Sequence, residues 1–209
     1  MGRGLAVASM IVGCDSRYWD GTRFPAALAV RWFGGKVSDG SWRPDDTRHL
    51  LLEHQRRACR QQGLPYLPFF YWRYNIDPIR QADLFAAKLD SPELPWALDF
   101  EDPYAPASSG LKVAAFTDEC TKIFQKPMLC YTRKSWWDAH VDQVAAARGA
   151  SLCDLWVAHY TAAPAPLLPR GWTDWAIWQW QGDVTKPGVN AKVDMNRTKP
   201  EWAAIYGIV

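Results

Sequence analysis

Asp99 and Glu101 stand two residues apart in Trp96-Ala97-Leu98-Asp99-Phe100-Glu101, an apolar run of strand length. Strand side chains alternate between faces, so Leu98 and Phe100 point one way and the two carboxylates the other. The two Cα atoms then lie roughly 6.6 Å apart, close enough for like charges to repel. Such a pair divides into a protonated and an ionised member, the division of labour between a proton donor and its anionic partner. Asp102-Pro103 ends the run, which puts both carboxylates at the C-terminal end of the strand, where barrel enzymes carry their sites. A solvated acidic strand end, or an ion pair with Arg73 or Lys36, is the plainer alternative. Burying both groups on one face costs free energy unless they are paired or used.

Asp15 follows the apolar run Met10–Cys14, and Asp194 lies in Val193-Asp194-Met195-Asn196. Four carboxylates from C-terminal strand ends are expected to converge at one barrel mouth, though capping or turn duty stays open for Asp15 and Asp194 individually. Metal chemistry has little support. His49, His54, His140 and His159 show no HxxxH or HxH spacing, and a carboxylate-only site is the remaining metal option. A GxSxG elbow and a cysteine-protease signature are both absent.

The elements that would position these groups are consistent with that chemistry. The chain has 209 residues, 48% of them apolar and 22% charged, as in a globular protein with a full core. No stretch approaches the ~20 consecutive apolar residues of a membrane helix. Met1–Cys14 holds an apolar run like that of a secretion signal, but it flows into the first strand. A net charge of +2 is too mild for a nucleic-acid groove. Cys14, Cys59, Cys120, Cys130 and Cys153 are odd in number and never in CxxC form, so they read as buried thiols in a reducing compartment. Some of the 13 Trp, 8 Tyr and 8 Phe belong to the core, but so many Trp point to an apolar-walled groove for a ligand with flat, C–H-rich faces.

Eight short apolar runs fit strands: Met10–Cys14, Leu28–Phe33, Tyr66–Trp72, Trp96–Glu101, Pro127–Tyr131, Leu155–Tyr160, Ala176–Trp180 and Lys192–Met195. Helices are expected from about Asp46 to Gln62 before Gly63, and after Asp77-Pro78 with Ile79, Ala82, Ala86 and Leu89 on one stripe. Two more are expected, one after Ser108 or Ser109 and a weaker one over Ser135–Arg148. This alternation, with a helix-poor last third, predicts an α/β fold: an irregular, trimmed TIM-like barrel, shorter than the about 250 residues usual for the type. An open doubly wound sheet is the structural alternative.

At these residues the sequence resembles the glycoside hydrolase family 25 lysozymes, the Chalaropsis-type muramidases common among phage endolysins. Gly13-Cys14-Asp15-Ser16-Arg17-Tyr18-Trp19-Asp20-Gly21 is similar to the family opening, and Lys36-Val37-Ser38-Asp39-Gly40 to a lysine-containing turn after its second strand. Phe70-Tyr71-Trp72 sits where the family has tyrosine-histidine, followed by Gln81-Ala82 and Phe85 in the next helix, and Leu98-Asp99-Phe100-Glu101 is its Asp-x-Glu signature. Cys130-Tyr131-Thr132, Leu155–Tyr160, Trp175–Trp180 and Val193-Asp194-Met195-Asn196 match the later strands. Trp72 and Tyr18 replace histidines, which puts polar contacts in the groove in doubt.

The resemblance implies cleavage of the β-1,4 bond between N-acetylmuramic acid and N-acetylglucosamine in bacterial cell-wall peptidoglycan. Glu101 would be the general acid and then base, and Asp99 would stay ionised, either attacking directly or steadying the substrate's own N-acetyl group; Asp15 and Asp194 would tune the pair. An i,i+2 pair pointing one way favours retention through the acetamido group. Lys36 would meet an anionic lactyl or peptide portion, and Tyr71, Tyr131, Trp156, Tyr160 and Gln179 would contact the glycan, with core packing the alternative for each ring. No cofactor, nucleic acid or membrane insertion is implied. The expectation is a monomer of one catalytic domain over residues 1–209, with no wall-binding module, made in a cytoplasm and released to the wall by another agent, or secreted. Rival classes are a non-catalytic glycan-binding barrel and a chitinase-like glycosidase, although Leu94 and Ala97 stand where the latter's DxxDxDxE run has aspartates.

Overall fold

Strands and helices alternate in the order β1 (Ile11–Ser16), β2 (Phe33–Asp39), α1 (His49–Gln61), β3 (Tyr66–Tyr71), α2 (Pro78–Lys88), β4 (Trp96–Asp99), α3 (Gly110–Phe124) and β5 (Met128–Thr132). There follow α4 (Lys134–His140), α5 (Gln143–Leu152), β6 (Cys153–Ala158), β7 (Ile177–Val184), β8 (Val193–Thr198) and α6 (Pro200–Ile205). This computed structural model describes residues 10–16, 30–39, 49–88, 96–186 and 192–208. Tyr18 and Leu89, singled out from the sequence, lie outside them.

The eight strands close into a barrel in sequence order. Neighbours from β1 to β7 run parallel, whereas β8 runs antiparallel to both β7 and β1. The link from β7 to β8 is too short for a crossover helix, so the chain can only turn back on itself there. The expected α/β barrel with bare closing strands is what forms.

Alternation along each strand makes two cores. Inside the barrel lie Trp32, Leu67, Phe69, Ala97, Leu129, Trp156 and Ile177, joined by Ala203 and Tyr206 of and just beyond α6. Because Thr198 pairs with Ile11, β8 ends at the start of β1, and α6 therefore packs at the opposite end of the barrel from the parallel strands' C-termini. Between barrel and helices, Phe70 stacks on Phe85 at 4.8 Å and Phe116 at 5.5 Å, with Trp96, Leu98 and Phe100 in the same layer. Each such ring contributes about 1.5–3 kcal/mol by leaving water. All five cysteines are free and buried, and burial pushes their thiols up.

Several boundaries differ from the sequence-based expectation. Among the described residues the second strand is Phe33–Asp39, starting where the expected Leu28–Phe33 run ends, of which residues 28 and 29 lie outside them, so Lys36 to Asp39 lie in a strand rather than a turn. Within this strand a Cβ on Gly34 would sit 2.9 Å from the Asp15 Cβ, so glycine is there for close strand approach. β4 ends at Asp99, though Phe100 still donates its N–H to the Tyr131 carbonyl at 2.9 Å. The helix expected over Ser135–Arg148 is two helices, because Asp142 turns its carboxylate onto the N–H groups of Val144 and Ala145 and starts α5 afresh. Asp77 caps α2 through the Arg80 N–H at 2.9 Å, but Ile79 is exposed and Gln81, Ala82 and Phe85 form the buried face. Ser109 stands at the N-cap of α3 with its hydroxyl turned back to the Pro106 carbonyl instead of onto the helix. No described helix is long and apolar enough to cross a membrane.

Candidate active site

Asp15, Asp99, Glu101 and Asp194 line one cavity of about 200 Å³ at the C-terminal ends of the parallel strands. Strand alternation aims them there: Leu98 and Phe100 are sealed in the outer layer, while Asp99, 4% exposed, and the half-buried Glu101 face the cavity. Asp194 arrives differently from the expectation. It is the second residue of an antiparallel strand, so it is the N-terminal end of β8 that reaches the mouth. There it pairs directly with Asp15 across the β1–β8 ladder.

Two buried amides hold Asp15. Asn196 Nδ2 donates to its Oδ1 at 2.6 Å and Gln179 Nε2 to the same oxygen at 3.1 Å. Burial, then the facing Asp194, raises the Asp15 carboxyl far above the ordinary aspartate range, against the pull of both amides. Asn196 is itself oriented by Trp156, whose Nε1 donates to Asn196 Oδ1 at 2.8 Å. Asp194 accepts the Asp183 N–H on Oδ1 at 2.7 Å and Gln179 Nε2 on Oδ2 at 3.5 Å.

Gln179 is 1% exposed and sits behind the cavity wall. Its Oε1 accepts from the hydroxyls of Tyr131 at 2.9 Å and Tyr160 at 2.7 Å, so its four interactions tie two tyrosines to two carboxylates. Ile177 and Gln179 share the inward face of β7, and Trp178 packs outside. The residue expected to touch glycan is thus occupied in holding those that line the cavity.

Tyr71, Tyr131 and Tyr160 all reach the cavity. Burial raises all three phenols, reinforced most by Asp99 for Tyr71, Glu101 for Tyr131 and Asp194 for Tyr160, so they stay protonated, and Tyr131 and Tyr160 donate to Gln179. Trp156 forms part of the floor and is also core, edge-on to Trp32 at 5.6 Å and Tyr131 at 5.3 Å. A Cβ on Gly182 would lie 2.7 Å from the Tyr160 hydroxyl, so glycine lets that ring close over β7. Lys36 lines the cavity, with Nζ 3.8 Å from Asp39 and 4.1 Å from the centre of the Tyr71 ring, which Arg73 also approaches at 4.5 Å.

Trp72, at the position of an expected groove contact, turns away. It is fully buried in the outer layer, against Phe100 at 5.8 Å and Trp136 at 6.3 Å. Asn196 stands in the sequence only as the end of the Val193-Asp194-Met195-Asn196 match, with no role of its own, and Asp183 and Phe69 carry none. Asn196 was legible as the i+2 neighbour of Asp194 on the same strand face, whereas Asp183 gives no such signal: it lies near the end of β7 with φ 55°, where the register against β8 shifts between Gln181 and Val184. Among the described residues no group of His, Cys, Asp and Glu is arranged to hold a metal ion. What the cavity offers is proton donation and anionic stabilisation beside neutral phenols, the equipment for breaking an acetal.

The protein-family model described as "Glycosyl hydrolases family 25" matches residues 28–189. A curated relative, Lysozyme M1 of Streptomyces globisporus, is 28% identical over 222 residues, spanning 98% of this chain and 73% of that one. The muramidase from Acremonium alcalophilum has the same fold, with a TM-score of 0.74 at 22% identity over 95% of this chain and 98% of its own. So has the bacterial lysozyme from Streptomyces coelicolor, with a TM-score of 0.74 at 21% identity over 97% and 100%. The chain therefore belongs to glycosyl hydrolase family 25 and is a glycoside hydrolase.

Proposed function

We propose that the protein is an N-acetylmuramidase that cuts the β-1,4 bond between N-acetylmuramic acid and N-acetylglucosamine in bacterial cell-wall peptidoglycan. The observation that carries this is the single cavity in which Asp99 and Glu101, from one strand end, meet Asp15 and Asp194. The names of the relatives, lysozyme and muramidase, support the same substrate.

Glu101, the more exposed of the pair, protonates the leaving oxygen and then, as a carboxylate, activates water. Asp99 stays ionised and steadies the substrate's acetamido group as its oxygen closes on the anomeric carbon. Both carboxylates reach in from one strand end, which favours this assisted route over attack from the opposite sugar face, and the anomer is retained. Asp15 and Asp194 set the field around the pair, while Tyr71, Tyr131 and Tyr160 offer ring faces and hydroxyls to the sugars. The protein works without a cofactor, as one catalytic domain and a monomer, at the wall to which it is delivered after synthesis in a cytoplasm.

Digestion of purified peptidoglycan tests this. Turbidity should fall with new reducing ends and no new amino groups, and mass spectrometry of the products should show muramic acid at the reducing end. New amino groups without reducing ends would mean an amidase or peptidase.

A further inference from the structure

Glu101, Tyr131 and Tyr160 line two cavities at once. Asp15, Asp99 and Asp194 belong only to the smaller. The larger, about 550 Å³, opens on the far side, between the β5–α4 junction and the segment after β6, and unlike the acidic smaller one it is mixed in charge: Arg133, Lys134 and His159 stand with Asp138 and Glu101. Three of these are engaged within the protein. Lys134 Nζ donates to Asp138 Oδ2 at 2.6 Å and to the Leu168 carbonyl at 3.1 Å. Asp138 Oδ1 accepts the Arg170 N–H at 2.7 Å, and His159 Nδ1 accepts that of Leu167 at 3.0 Å.

Arg133 differs. Its side chain is exposed and makes no hydrogen bond or ion pair among the described residues. Its backbone is nonetheless fixed, extended at φ −118° and ψ 147°, with its carbonyl accepting from the N–H groups of Trp136 at 3.1 Å and Trp137 at 3.0 Å. A guanidinium on an anchored Cα, with no internal carboxylate, is prepared for an external one.

We propose that the larger cavity receives the leaving half of the glycan and that Arg133 binds a carboxylate carried by that half. This rests on the muramidase assignment. The proton donor stands beside the leaving oxygen, and the sugar under attack sits with Asp99, so the chain beyond the cut bond runs past Glu101 into the larger cavity. In an alternating glycan the second sugar on that side is a muramic acid. Its lactyl carboxyl is an amide where a stem peptide is attached, and the carboxylate is then the peptide's; where no peptide is attached, the lactyl group itself is the carboxylate.

The test compares wild type with Arg133→Gln and Arg133→Lys on intact peptidoglycan, on glycan strands stripped of stem peptides, and on each after carbodiimide amidation of its carboxylates. Arg133→Gln should raise KM about tenfold on carboxylate-bearing glycan with kcat nearly unchanged. Amidation should bring wild type to the level of Arg133→Gln and leave Arg133→Gln indifferent, with Arg133→Lys between. A penalty seen on intact peptidoglycan and lost on stripped strands assigns the stem-peptide carboxylate, and one that appears only on stripped strands, where removing the peptide frees the lactyl carboxyl, assigns the lactyl group. Arg148→Gln, which removes an exposed guanidinium paired with Asp118 on another face, should leave KM unchanged. Equal KM for wild type and Arg133→Gln, or an equal amidation penalty in both, overturns the inference. Titrating a soluble tetrasaccharide into Glu101→Gln, with and without Arg133→Gln, reads the same contact as a Kd difference without turnover. Failure of wild type to release reducing ends would overturn the muramidase assignment, while this Kd difference would still judge Arg133.

Discussion

Asp15 and Asp194 face each other as direct partners across the antiparallel β1–β8 ladder, and one amide nitrogen, Gln179 Nε2, donates to both. Like charges set opposite each other on a sheet are destabilising, so this pairing is tolerated only with donors between them and the proton affinity of Asp15 raised.

Asp15 should make the folded protein weaker as pH rises. Its folded-state pKa lies above the unfolded value, so the folded state holds its proton more tightly. Stability is full below the ordinary value of 3.8 and declines as pH climbs through the raised one. Asp15→Asn keeps an oxygen for Asn196 and Gln179 without the charge. Melting temperature against pH should be flatter for Asp15→Asn than for wild type, with the gain at neutral and alkaline pH. Parallel curves would refute the raised proton affinity.

Glu101→Gln should lose a factor on the order of 10²–10⁴ in turnover while keeping its melting temperature and glycan affinity. Asp99→Asn should lose about two orders of magnitude or more, since the charge it presents to the developing cation is gone. Reducing-end release on peptidoglycan measures both, and near wild-type lysis from Glu101→Gln would contradict its role.

Gln179→Ala leaves two carboxylates and two phenols short of a buried partner, each worth about 1–3 kcal/mol. Chemical denaturation should show a loss of about 3 kcal/mol or more. Gln179→Glu keeps an acceptor for Tyr131 and Tyr160 but adds a third carboxylate, so its deficit should shrink on acidification. A deficit independent of pH would mean that the amide does not separate the charges.

Trp72→His should not restore a groove contact, because the side chain is buried against Phe100 and Trp136. Its indole N–H has no partner among the described residues. Trp72→Phe therefore sacrifices little, whereas Trp72→His trades packing for a buried imidazole and should cost on the order of 3 kcal/mol in denaturation. Equal melting temperatures for the two would refute this placement.

The barrel and its four converging carboxylates were legible because both follow from period-two alternation: Leu98 and Phe100 declare one face, and Asp99 and Glu101 must take the other. What was not legible depends on partners distant in sequence. Lys36 to Asp39 read as a turn and are strand because β3 pairs with them. Gln179 is an ordinary polar residue until Asp15, 164 positions away, defines its task. The direction of β8 altered the way in which Asp194 reaches the mouth but not its arrival there.

Because β8 closes the barrel against β1, the cavity is assembled from the first and the last of the eight barrel strands. A partly translated chain has Asp99 and Glu101 but lacks Asp194, Asn196 and the wall they complete. The four-carboxylate cavity is therefore complete only once β8 has been made.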